Sequence, residues 1–330
     1  MILAIDVGGT KTLVALYAQQ AGQWLIVRQK KYNSSEFYSI TAILDDFAEQ
    51  KKYAQVSSIC AGVAGPVVDG VCHITNLSWS LSVAEISQAT SVKDVYLLND
   101  LEATAWGIRY LSDDKLLDIN LQAQARLGNI AILSAGTGLG EAMIIENGDS
   151  FTAVATEGGH TDFAPQNEEQ DKLLVFLRKK YQGHVSYERL VSGEGLHNIY
   201  QYLRSLLNAQ VNPEVEKQIA ISDPAAVIGC GGLDGADSLC KEAVRIFCQI
   251  YAAEAANLAL KCLPYSGVVL AGGITPKLLP AIQQQYFMDA FLNKGRYSEL
   301  LQKIPVRVCM DEQIVLSGAL ANARYHIEMK

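Results

Sequence analysis

Ile2-Leu-Ala-Ile-Asp-Val-Gly-Gly-Thr-Lys-Thr-Leu-Val-Ala-Leu-Tyr17 reads as two strands around one turn. Residues 2–7 and 12–17 are short runs rich in branched and aromatic side chains, and only Gly8-Gly9-Thr10-Lys11 lies between them. The same outline returns further along. Asn129–Leu133 reads as a strand, Ala135-Gly-Thr-Gly-Leu-Gly140 as a glycine loop, and Glu141–Ile145 as a second strand. Gly8 and Gly136 are 136 − 8 = 128 residues apart. An internal duplication of this kind predicts two similar β-rich halves, each presenting one glycine loop.

Between and beyond these blocks the pattern alternates strands with helices. Residues 24–30 read as a strand, 40–52 as a helix and Ser57–Ala61 as a strand that ends in Gly62-Val-Ala-Gly65-Pro66. Val95–Leu98 is a strand leading into Asn99-Asp100, with a helix over 101–111 and Glu102 in its first turn. Asn147-Gly148 offers a tight hairpin turn. A long helix is expected over 238–262, with Val244, Phe247, Tyr251, Leu258 and Cys262 near one face. It leads to a strand at 267–270, the turn Ala271-Gly272-Gly273 and a further helix.

Glycine lets a backbone approach an anion closely and adopt φ > 0, and successive N–H groups in such loops form an anion-binding nest. Thr10 and Thr137 add hydroxyl donors, Lys11 adds a positive charge, and Asp6 at a strand end could hold Mg²⁺ directly or through water. Two named nucleotide signatures fail. Neither loop matches Gly-x-x-x-x-Gly-Lys-Ser/Thr, and Gly136, Gly138 and Gly140 are spaced Gly-x-Gly-x-Gly before a strand, not Gly-x-Gly-x-x-Gly before a helix. A nicotinamide dehydrogenase is excluded on the same ground.

Asp100 stands at a strand end before a helix, where it reads either as the helix N-cap or as a carboxylate facing a cleft and able to take a hydroxyl proton. Asn99 beside it can donate and accept. Glu157-Gly-Gly-His160 is not a helical metal pair, because two glycines oppose a helix there; it reads as a loop aiming a carboxylate and an imidazole at sugar hydroxyls. Glu188 follows Ser186 at a helix start, where helix-dipole complementarity and ligand binding explain it about equally well.

The formal charge is 27 − 35 = −8, which disfavours polyanionic partners such as nucleic acid. Seven cysteines at 60, 72, 230, 240, 248, 262 and 309 include no Cys-x-x-Cys pair and read as thiols of a reduced cytoplasmic protein. The first residues do not resemble a secretory signal, since Asp6 interrupts the apolar run. No apolar run reaches the roughly 18 residues of a spanning helix, so no membrane association is expected.

Taken together, Asp6-Val-Gly-Gly-Thr10, Thr75-Asn-Leu-Ser-Trp79, Leu98-Asn-Asp100, Gly136-Thr-Gly-Leu-Gly140, Glu157-Gly-Gly-His-Thr-Asp-Phe-Ala-Pro165, Ser186-Tyr-Glu-Arg189 with Ser192-Gly193, and Ala271-Gly-Gly-Ile274 resemble the bacterial glucokinases of the hexokinase/actin-like ATPase superfamily. The resemblance implies an α/β fold with mixed sheets, two domains of the actin-like (ribonuclease H-like) type and an interdomain cleft. The domains would be 1–110 completed by 312–330, and 111–311. It implies glucose bound by Asn99, Asp100, Glu157, His160 and Glu188, with Asp100 as catalytic base. It implies ATP phosphates held along Asp6, Val7, Gly8, Gly9, Thr10 and Lys11 and at Gly136, Thr137 and Gly138, with adenosine near Gly272 and Gly273. A homodimer is expected. Repressor-type relatives carry a zinc-bound cysteine cluster after the Glu-x-x-His motif; residues 161–229 contain no cysteine here, so no structural zinc is expected. Alternative readings are a kinase for mannose, fructose or an N-acetylhexosamine, and a non-enzymatic sugar sensor or actin-like assembly protein.

Overall fold

The computed structural model describes residues 1–48, 53–74, 77, 79–148, 150–207 and 209–329. The chain divides into two units, Met1–Leu111 with Gln313–Lys330, and Ser112–Glu312.

In the first unit β1 (Ile2–Val7) is the centre of a five-stranded sheet. Its Leu3, Ile5 and Val7 are buried on one face and Ile2 and Ala4 on the other, the two-sided burial that a central strand requires. β2 (Lys11–Gln20) and β3 (Gln23–Asn33) continue antiparallel on one side, with a register irregularity between Leu16 and Tyr17. β4 (Ser58–Val63) lies parallel on the other side of β1. A small antiparallel sheet follows, of β5 (Val67–Val68), β6 (Val71–His73) and β7 (Ser80–Ser82). β8 (Asp94–Asn99) then joins the large sheet parallel to β4, giving the order β3-β2-β1-β4-β8. The helices α1 (Ile40–Ala48) and α2 (Val83–Thr90) pack Ile43, Leu44, Phe47 and Ile86 onto Leu3 and Ile5. The opposite face is covered by α3 (Asp100–Arg109) and by the C-terminal helix Ile314–Glu328, which meet backbone to backbone at Ala103 and Gly318.

The second unit repeats the plan. β9 (Leu116–Asp118) comes first; β10 (Ile130–Ala135) is central; β11 (Leu139–Asn147) and β12 (Ser150–Thr156) run antiparallel beside it. β13 (Gly267–Ala271) and β14 (Val306–Cys309) extend the other side in parallel, and β9 adds an antiparallel edge. The order β12-β11-β10-β13-β14 thus matches β3-β2-β1-β4-β8 strand for strand. Its helices include α4 (Glu168–Tyr181), α5 (Gly193–Arg204), α6 (Pro213–Ile221), α7 (Pro224–Leu233) and the 25-residue α8 (Ser238–Cys262); the core is built on α5 and on α8, which is buried nearly all round. Among the described residues no helix is long and apolar enough to cross a membrane.

Several expected boundaries move. The 24–30 strand runs over Gln23–Asn33. Of the helix expected at 40–52, Ile40–Ala48 is helical and 49–52 lie outside the described residues. Thr75, Asn76 and Ser78 of the Thr75–Trp79 motif also lie outside them. The helix expected directly after Gly273 is replaced by a turn and two short helices, Leu279–Ile282 and Gln285–Leu292. Pro276 lies in that turn, where Leu278 N donates to Ile274 O (3.0 Å) and the Thr275 hydroxyl donates back to Ala271 O (2.6 Å).

Candidate functional site

The parallel strands of the first unit end together, and their ends carry its polar residues. The turn after β1 closes with Gly8 N donating to Lys11 O (2.9 Å). Ser34, buried, fastens it from outside: its hydroxyl donates to Gly8 O (2.8 Å), and its N–H donates to Thr10 O (2.9 Å). Thr10 and Lys11 are exposed on this turn. At the end of β8, Asn99 is the helix N-cap: its Oδ1 accepts from Leu101 N (2.9 Å) and its Nδ2 donates to Gly65 O (3.1 Å). Asp100 is the first residue of α3 itself, so the N-cap reading of Asp100 is corrected. Asn99 caps the helix through its Oδ1, and Asp100 Oδ1 also accepts from Leu101 N (2.9 Å).

Asp6, partly buried one residue before the end of β1, feels Asp100. Burial first, and then the Asp100 charge, push the Asp6 carboxyl up from 3.8 to about 6. A buried carboxyl beside a second carboxyl suits a divalent cation, which Mg²⁺ sites typically meet with one or two carboxylates plus substrate phosphates. Among the described residues no group of three or more His, Cys, Asp and Glu side chains gathers as a ready-made metal cage.

The second unit gathers the rest. In the turn after β10, Gly136 N donates to Gly138 O (2.9 Å) and Gly136 O accepts from Gly193 N (3.0 Å) at the start of α5. Glu188 lies against Gly138, and its Oε2 accepts from Leu139 N (3.1 Å). Its other oxygen, Oε1, is 3.9 Å from His160 Nδ1, while His160 Nε2 is 3.9 Å from Glu157 Oε2. Glu157 is largely exposed, His160 about half, and Glu188 about a quarter (82, 58 and 26% of side-chain surface). Glu157 precedes a single 3-10 turn, Gly158–His160, and Glu188 lies within another, Tyr187–Arg189. The helix expected to begin at Glu188 is therefore only this one turn. Gly272 also belongs here. It has φ 86, and a Cβ at this position would fall on the backbone of Ala135, at the foot of the Gly136 turn. Ile274 N then donates to Ala135 O (3.1 Å), tying the third glycine turn to the second.

The structure thus brings Asp6, Val7, the Gly8–Lys11 turn, Asn99 and Asp100 to one strand edge of the first unit. It brings Gly136, Thr137, Gly138, Glu157, His160, Glu188, Gly272 and Gly273 to one region of the second. The expected reason for the glycines changes in part. Gly8, Gly9, Gly136 and Gly138 are not among the positive-φ residues; of these loops only Gly272 uses that freedom. Sequence reasoning missed Ser34, which lies 26 residues from Gly8 with no local signal. It also missed Glu141 and Glu254, although Glu254 interrupts the apolar stripe between Tyr251 and Leu258.

The glucokinase family model matches residues 3–326. Curated proteins named glucokinase from Nostoc punctiforme and from Synechocystis are 37% and 36% identical, over 97% and 96% of both chains respectively. The crystal structure of a glucokinase from an Antarctic psychrotroph superposes with a TM-score of 0.83 at 29% identity, over 98% of each chain. The duplicated mixed sheets are those of the actin-like ATPase fold, and the chain belongs to the glucokinase family, the ATP-dependent hexose kinases.

Proposed function

We propose that the protein transfers the γ-phosphoryl group of ATP to the 6-hydroxyl of glucose. The observation that carries this reading is Glu188. One of its oxygens is bonded to the end of the Gly136–Gly138 turn and the other faces His160, which neighbours Glu157. A glycine turn and a set of groups able to pair with hydroxyls therefore share one carboxylate.

In this reading Asn99, Glu157, His160 and Glu188 pair with the sugar hydroxyls. A polar set of this kind rejects analogues lacking a hydroxyl by up to about 10⁴-fold. Asp100 accepts the 6-hydroxyl proton as that oxygen attacks the γ-phosphorus in line. Backbone N–H groups of Gly9, Thr10, Thr137 and Gly138, with Lys11, draw charge from the phosphates where Gly8 and Gly136 turn the chain, and Gly272-Gly273 borders the adenosine. Mg²⁺, held by Asp6 directly or through water, would neutralise developing phosphate charge when bound. Residues 1–110 with 312–330, and 111–311, serve as the two functional domains. The enzyme is read as a cytoplasmic homodimer; seven free thiols, six of them buried, support a reducing compartment.

ADP release measured across glucose, mannose, fructose and N-acetylhexosamines tests the activity. The expected outcome is turnover with glucose at the highest kcat/KM. Absence of ADP release with every hexose, or a preference of tenfold or more for another sugar, would overturn the assignment.

A further inference from the structure

Two buried carboxyls of the second unit have no part in that mechanism. Glu141, in β11, is 1% exposed, and Glu254, midway along α8, is 0% exposed. Their carboxyls face one another. Glu254 Oε2 accepts from Asn257 Nδ2 (2.8 Å), and Lys261 Nζ stands 3.8 Å from Glu254 Oε1. Yet Glu141 Oε1 and Glu254 Oε1 each receive no hydrogen bond from the described residues. Two adjoining carboxylates away from water do not both ionise; a proton on one supplies the donor that the other lacks.

The same pair touches both turns of the candidate sugar site. Gly158 lies so close to Glu141 that a Cβ there would meet its carboxyl. Thr156 Oγ1 ties them again, donating to Glu141 O (3.2 Å) and accepting from Gly158 N (3.1 Å). On the other side the Tyr187 hydroxyl donates to Glu254 and accepts from Asn257 Nδ2 (2.9 Å). Tyr187 N donates to Thr161 O (3.1 Å), and the next residue is Glu188. Lys294 Nζ holds Asn257 Oδ1 (2.5 Å).

We propose that Glu141 and Glu254 are positioning residues for the sugar: their hydrogen-bonded carboxyl pair sets the Gly158–His160 and Tyr187–Arg189 turns so that Glu157, His160 and Glu188 are presented together. This rests on the reading of those three residues as sugar ligands. Burial first, then the Glu254 charge, push Glu141 up to about 8, against an opposing pull from Lys261. Burial also raises Glu254, while Asn257, Lys261 and Tyr187 draw it down. Tyr251, on α8, and Lys294, through Asn257, are further titratable groups around the pair. The pair therefore holds a proton at neutral pH, and on the alkaline side it loses that proton and becomes two like charges.

The test is the pH dependence of glucose KM, with ATP KM and kcat as controls, in the wild type, Glu141→Gln and Glu141→Leu. In the wild type glucose KM rises on the alkaline side, while ATP KM stays within about twofold. Glu141→Gln, which keeps the shape and a donor, abolishes that rise. Glu141→Leu raises glucose KM by about 10–100-fold at all pH values, the scale of a small misplacement of ligand groups. An alkaline rise unchanged in Glu141→Gln, or a wild-type glucose KM in Glu141→Leu, overturns the proposal. A second readout needs neither substrate nor variant activity: the infrared band of a buried protonated carboxyl, present in the wild type at neutral pH and lost in Glu141→Gln. Absence of that band in the wild type overturns the proposal as well. A wild type inactive on every hexose refutes the kinase assignment separately, without reference to either variant.

Discussion

Replacing Asp6 by Asn in the free protein should stabilise it at neutral pH and leave it nearly unchanged in acid. In the folded chain the Asp6 carboxyl binds its proton with a pKa of about 6, against 3.8 for an unburdened group, because it is buried and stands near Asp100. Each tenfold change in proton affinity is about 1.4 kcal/mol, so this displacement corresponds to about 3 kcal/mol. Between these two values the folded state holds more protons than the unfolded state, so stability falls as pH rises through the window and levels off above it. The full contribution is present below 3.8 and is lost once pH passes about 6. An amide carries no charge and avoids the loss, though it desolvates too; the net gain should be about 1–3 kcal/mol near pH 7.5. Urea unfolding of both proteins at about pH 4 and about pH 7.5, without nucleotide or divalent cation, measures it. Saturating MgATP should reverse the order at the higher pH, because the bound cation relieves the cost in the wild type alone. A variant less stable than the wild type at the higher pH, or a difference independent of pH, would refute the account of Asp6.

Asp100→Asn should lower kcat by about 10²–10⁴-fold with a smaller change in glucose KM; a variant keeping more than half of wild-type kcat removes Asp100 from the base role. Gly136→Ala meets open space within 4 Å, so its melting temperature should stay close to wild type while ATP KM rises; unchanged ATP KM would count against the phosphate turn. Gly272→Ala drives a Cβ into the Ala135 backbone at φ 86 and should cost about 3 kcal/mol or more, and a melting temperature equal to wild type would contradict that packing. Glu188→Gln keeps size but loses charge, so glucose KM should rise by about tenfold or more, a charged hydrogen bond being worth about 1.5–3 kcal/mol; titration of glucose at saturating ATP decides it.

The duplicated sheets were legible because their signals are local. Apolar runs stop at Gly8 and at Gly136, and each strand pair closes within a few residues of its turn. The crossover strands β4 and β13 were equally plain as apolar runs ending in glycine. Cap assignment was less secure. Asn99 and Asp100 are both good caps by composition, and only the exit angle of β8 decides between them. Within the candidate site, the residues borne on punctuated turns stood out in the sequence. Those that hold the turns did not. Ser34 reaches Gly8 across a hairpin, and Glu141 faces Glu254 across 113 residues (254 − 141 = 113), contacts that no periodicity encodes. Glu254 left one trace, an acid on the otherwise apolar buried face of its helix.

The helix Ile314–Glu328 has a further consequence, for biosynthesis. It covers one face of β1 and β4 in the unit that begins the chain, with Val315 against Gly62 and Ile314 against Gly107. While a ribosome is still making the chain, the first 111 residues emerge with α3 but without this helix over that face. Residues Ser112–Glu312 have all their own strands before the final segment appears. The part translated first is therefore completed last, and a nascent or prematurely terminated product exposes the apolar underside of β1 to chaperones and proteases.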